Sequence, residues 1–168
     1  MISTSKEELG IQIITQATFL WDEQKQNAIT YGNLIHELMA QINSYTDIQH
    51  VLEDAVKQGV VPEEGYETIS NVIQNITTHS QLIDYYQDQN TVYNERMILS
   101  SDGAFYIPDR VVVLPNGDTT IIDYKTGMHN PSHSKQIAMY GALYEEMGFK
   151  VANKFLVYID ATVDVISV

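Results

Sequence analysis

A chain of 168 residues with 44% hydrophobic side chains is long enough for one domain with its own core, and two would fit only with difficulty. It has no cysteine, which excludes disulfides and a cysteine-held iron–sulfur cluster, and no apolar run near the roughly 20 residues that span a bilayer, so no membrane association is expected. Nine Lys and Arg against 22 Asp and Glu give −13, a balance that taken whole argues against a nucleic-acid-binding surface.

The acidity is uneven: residues 1–90 hold 3 basic and 13 acidic side chains, residues 91–168 hold 6 and 9. Distant acidic surface is screened over about 8 Å at physiological salt, so it weakens the approach of a polyanion without forbidding it. The N-terminus MISTSKEELG has neither the basic nor the apolar region of a signal peptide, and with the absent cysteines this fits a cytoplasmic protein.

Residues 1–90 read as mainly helical. Tyr31, Leu34, Ile35, Leu38, Met39 and Ile42 recur at helical spacing. A second helix is expected over 48–58, capped by Thr46 or Asp47 and stopped by Gly59; a third follows Pro62, and a short one lies near 79–87. From residue 91 the period changes. Segments 92–99, 104–114 and 118–125 are rich in β-branched and aromatic residues, separated by Ser-Asp-Gly and Pro-Asn-Gly turn signals, and predict three antiparallel strands. A helix over 133–147 and strands over 151–159 and 162–168 complete a single domain, 1–168, of α/β class: a mixed sheet flanked by helices, with an N-terminal helical portion. The chain stops inside the last strand, so it reads as a piece of something longer.

The chemistry concentrates in the hairpin Phe105–Lys125. Asp123 and Lys125 are two apart on a strand and share a face, with Tyr124 on the other. Whether Asp109 joins them depends on register. A two-residue Asn116-Gly117 turn would pair 109 with 124; a three-residue loop, Pro115-Asn116-Gly117, pairs 114 with 118 and 109 with 123. Pro at the second turn position and Gly where a positive φ is needed favour the second. Two facing carboxylates repel unless a cation lies between them, and a hard divalent metal suits the place; the bland alternative is a salt-bridged pair with Lys125 and Arg110.

Pro108-Asp109, then Asp123-Tyr124-Lys125, resembles the PD-(D/E)XK signature. Together with Tyr93-Asn-Glu-Arg96, Gly103, Ile107-Pro-Asp-Arg110 and Ile121-Ile-Asp-Tyr-Lys-Thr-Gly127 it resembles the RecB-like nuclease domain found at the C-terminus of AddAB- and RecBCD-type helicase–nuclease subunits. Gly32-Asn-Leu-Ile-His36 is similar to that family's upstream helix with a metal-binding histidine, and Gln136 with Tyr140 to its Gln-x3-Tyr motif near the substrate. The resemblance covers roughly residues 28–160.

It implies a restriction-endonuclease-like core and a metal-dependent deoxyribonuclease, exonuclease rather than endonuclease, working in DNA repair and recombination. Metal ligands would be His36, Asp109, Asp123 and the backbone carbonyl of Tyr124; Lys125 would be catalytic beside Asp109 and Asp123; Gln136 and Tyr140 would face substrate. The ion would be Mg²⁺ or Mn²⁺, with no iron–sulfur cluster, and the partners DNA, helicase domains of the same longer chain and a helicase–nuclease partner subunit. Glu95, in the strand expected over 92–99, is a further candidate near the site, or a salt-bridge partner of Arg96 or Arg110. His129 and His133 flank Pro131, and a zinc pair there lacks further ligands. Two other readings stand: an inert nuclease-fold module for docking or DNA contact, and a free-standing PD-(D/E)XK endonuclease.

Overall fold

A computed structural model describes residues 25–160 and 162–168; the helical reading of residues 1–24 lies outside them. Helices α1 (Lys25–Gln41), α2 (Ile48–Lys57) and α3 (Tyr66–Thr77) form the helical portion. The expected cap of α2 works differently. Asp47 ends a 3-10 turn, Tyr45–Asp47, and its carboxylate accepts from the backbone N–H groups of Asn43 and Ser44, securing the α1–α2 connection instead. The short helix expected near 79–87 shrinks to a 3-10 turn, Ile83–Tyr86.

The sheet has five strands. In chain order they are β1 (Thr91–Asn94), β4 (Arg110–Val113), β5 (Asp118–Thr126), β6 (Lys150–Ile159) and β7 (Val163–Ser167), and they stand in that order in space. Two further strands, β2 (Ile98–Leu99) and β3 (Phe105–Tyr106), form a separate ribbon. The expected strands 92–99 and 104–114 are thus each broken in two. The break falls where Glu95 adopts φ +46° and its N–H bonds the Asp109 carbonyl at 2.9 Å, beside Pro108, which has no N–H to offer a ladder.

β5 and β6 are parallel, and helix α4 (Pro131–Glu146) makes the crossover that such a pair requires. All other neighbours are antiparallel, so the sheet is mixed.

β4 and β5 pair Arg110 with Ile122 and Val113 with Thr119. The Leu114 N–H bonds the Asp118 carbonyl and Gly117 takes φ +87°, so the connection is the three-residue loop and the register is the one that brings Asp109 opposite Asp123. One residue of slip would have turned every β5 side chain over.

The sheet is covered on both faces. Val112, Ile122, Tyr124, Phe155, Val157 and Ile159 pack against α1–α3. Val111, Ile121, Leu156 and Tyr158 pack against Ile137, Tyr140 and Tyr144 of α4. β5 is therefore the buried central strand, with Asp123 on the α4 side.

Candidate active site

β1 and β4 stop at Asn94 and Arg110 while β5 continues to Thr126, and the site forms at this step in the sheet. Asp109 sits just beyond β4. One of its oxygens accepts the Tyr124 N–H at 2.7 Å, and the other lies 3.4 Å from His36 Nδ1. The hydrogen bond to Asp109 and the neighbouring negative charges hold the His36 imidazole above its ordinary pKa, against the opposing effect of burial.

His36 reaches the strand end because α1 lies very close to β5. A Cβ on Gly32, one turn earlier, would stand 2.5 Å from Thr126 Oγ1. Gly32, having no side chain, allows this close approach, and its partner, Thr126, had no sequence signal of its own.

Asp123 is only 2% exposed. Burial, followed by the charge of Asp109, pushes its carboxyl up to about 6, although Lys125 pulls the other way. Lys125 Nζ is 2.6 Å from Asp123 Oδ2 and donates to Gln136 Oε1 at 2.9 Å. The ammonium is close but badly angled, since Oδ2 is buried without a directed hydrogen bond. The site is short of positive charge.

Gln136 is bound to Lys125 and so acts on the site through the ammonium. Tyr140, on the same α4 face, is 5% exposed; burial and the charges of Asp123 and Asp109 push its hydroxyl up to about 12, so it stays a hydrogen-bond donor at neutral pH. Glu95 does not lie in a strand but follows β1. It is exposed and lines an open groove of about 620 Å³ with His36, Glu37, Gly32 and Thr126.

Arg110 corrects a second expectation. It pairs with neither Asp109 nor Glu95; it is fully buried and donates to the carbonyls of Ile42, Asn43 and Tyr85, with its guanidinium 4.2 Å from the Tyr86 ring centre. Tyr86 and Tyr124 in turn share a 2.6 Å hydroxyl–hydroxyl hydrogen bond beneath the site. A lone Arg beside an Asp reads as a surface pair in sequence, and nothing local signals that three carbonyls from two distant segments converge on it.

Asp109 thus stands between His36 and Asp123. Among the described residues no three His, Asp or Glu side chains are gathered tightly enough to enclose a metal ion as they stand. The donor set nevertheless fits a hard divalent cation: two carboxylates, one with a buried oxygen that lacks a directed partner, and an imidazole.

A family model described as the PD-(D/E)XK nuclease superfamily matches residues 8–164. The chain belongs to that superfamily. PD-(D/E)XK nucleases generally use divalent metals, in keeping with the donor set. Among solved structures, that of SSO0001 is similar at 18% identity and a TM-score of 0.33, over 79% of this chain and 65% of that one. No curated protein matches the chain. No described helix is long and apolar enough to cross a membrane.

Proposed function

We propose that this PD-(D/E)XK domain hydrolyses DNA phosphodiesters with Mg²⁺ or Mn²⁺, as the exonuclease module of a RecB-like helicase–nuclease in repair and recombination. The observation that carries the proposal is the β4–β5 register, which sets Asp109, Asp123 and Lys125 together at the end of one strand pair with His36 beside them.

His36, Asp109, Asp123 and the Tyr124 carbonyl would hold the ion. When bound, a divalent cation makes water more acidic and draws charge from a phosphoryl oxygen. The remaining work falls to the chain. The Tyr124 N–H fixes the Asp109 carboxylate, and Gln136 aims the Lys125 ammonium. Lys125 would neutralise the charge that builds on the phosphoryl oxygens during in-line attack, as the 3′ oxygen leaves. Tyr140, protonated at working pH, can donate to a non-bridging phosphate oxygen. Helicase domains and a partner subunit would deliver the DNA.

The Lys125–Asp123 ion pair favours a second reading, in which the lysine substitutes for the cation and the module only docks. One experiment separates them: incubation of the purified chain with linear and covalently closed DNA in Mn²⁺, Mg²⁺ or EDTA, beside Asp123→Asn. Cleavage of linear DNA that needs metal and Asp123 supports the exonuclease; cutting of circles points to an endonuclease; no cleavage of any DNA supports the docking module.

A further inference from the structure

Outside the site already described, a second polar cluster surrounds Tyr158. This tyrosine is the β6 partner of Lys125, one strand away, about 4.8 Å, on the α4 side of the sheet. His133, in the first turns of α4, meets the Tyr158 hydroxyl through Nδ1 at 2.9 Å, which leaves its Nε2 for another partner. His129 lies on the Tyr158 ring, centroids 3.8 Å apart and planes 23° apart, with Nε2 3.4 Å from Asp164 Oδ2 of β7. The two imidazoles therefore continue outward from Lys125, held by one aromatic ring.

The sequence around them has a singular composition. No Asp or Glu occurs between Asp123 and Glu145, in a chain with 22 of them; that stretch carries Lys125, His129, His133 and the exposed Lys135. That stretch of sequence is thus free of acids, although Asp164 of β7, the register partner of Tyr158, lies against His129. Burial above all, then Lys125 and His129, lower the His133 pKa, and an anion set between these donors would favour its charged form.

We propose that His129 and His133, set around Tyr158 beside Lys125, form a subsite for a backbone phosphate of the DNA strand next to the one being cut. The proposal rests on the nuclease reading and names the part of the substrate this border would hold. It is not a zinc site: His133 spends Nδ1 on Tyr158 and His129 turns Nε2 to Asp164, so the two rings do not converge on one point with a third donor. A phosphate needs no such convergence, only hydrogen-bond donors and charge along its path. Because the donors are imidazoles, the hold should tighten as pH falls, with Tyr158, Lys125, His129 and Asp164 as the groups that face them.

The test uses the full chain and a fluorescein-labelled single-stranded oligodeoxynucleotide, followed by anisotropy in EDTA across salt and from pH 5.5 to 8. Turnover of the same DNA in Mn²⁺ is measured in parallel. His129→Ala/His133→Ala should bind about tenfold more weakly at pH 5.5. It should show a log–log salt slope shallower by roughly 0.7, the change for one single-strand phosphate contact. The gap should close by pH 8, with kcat at saturating DNA held within about twofold.

His133→Asn, which keeps a polar group for Tyr158 but no charge, should lose the pH dependence that His133 contributes even if its melting point equals wild type. A single neutral methylphosphonate beside the cleaved linkage should weaken wild type and leave the double variant unaffected. If wild type cleaves DNA but the double variant keeps its affinity, slope and pH dependence, the subsite is overturned and the nuclease reading stands. If wild type neither binds nor cleaves DNA, both fall.

Discussion

The two faces of the sheet are built on different principles. Toward α1–α3 lies a large core whose polar members bond mostly within it: Arg110 to carbonyls through both terminal nitrogens, with only its Nε left without a partner, and Tyr86 and Tyr124 to each other. Toward α4 lies a smaller core, and at its edge Asp123 and Tyr140 are buried with their pKa values displaced. Strand β5 serves both by simple alternation, Ile122 and Tyr124 to one face, Ile121 and Asp123 to the other. Apolar packing and the proposed chemistry thus fall mostly on alternate side chains of a single strand, and substitutions at Lys125 and Ile122 should separate the two.

The strongest test of that division is Lys125→Ala. It removes a charge beside the proposed reacting phosphate while keeping every proposed metal ligand in the chain, so kcat should fall by two or more orders of magnitude with KM and Mn²⁺ affinity nearly constant. Steady-state kinetics and titration calorimetry check this; a fall in metal affinity of the same size would mean that Lys125 organises the ligands.

Next comes Ile122→Ala, on the other face of the same strand. It should cost about 2–5 kcal/mol of stability through the cavity it leaves, measured by urea unfolding, with kcat in the folded fraction close to wild type.

The smallest effect sharpens the comparison. Asp123 is held above its unfolded pKa, so the folded metal-free chain binds a proton that the unfolded chain has released between about pH 4 and 6. The stability from this group is present below its unfolded pKa and is lost as pH rises through about 6. Asp123→Asn should remove that loss and melt a few degrees higher than wild type at pH 7 without metal. Saturating Mn²⁺ should stabilise wild type but not the variant.

Much of this was legible in the sequence. The Pro115-Asn116-Gly117 loop set the register because each residue suits one turn position, and the register alone brings Asp109 to Asp123. The helices over 48–58 and 133–147 followed from spacing. The breaks at Glu95 and Pro108-Asp109 were hidden because the flanking residues keep a strand-like composition, and a positive φ at a Glu has no sequence mark. Gln136 was expected to face substrate, and its contact with Lys125 depends on how far α4 crosses over β5, which the sequence does not display. Arg110 was misread for a like reason: its partners are backbone carbonyls, which every residue has and no sequence displays.

The contact of Gly32 with Thr126 has a consequence for tolerance to change. A side chain at position 32 would begin 2.5 Å from Thr126 Oγ1, where ordinary contact starts near 3.4 Å, so Thr126 would have to turn or α1 would have to back away by most of an ångström. The second outcome carries His36 off Asp109, and a misplacement of about 1 Å can cost about a hundredfold in rate. The gap between histidine and carboxylate is therefore gauged by a hydrogen atom one helical turn away. A residue with no functional group of its own thus helps set the spacing of the site, and its replacement, where α1 rather than Thr126 gives way, would leave all the proposed catalytic groups present and merely out of reach of one another.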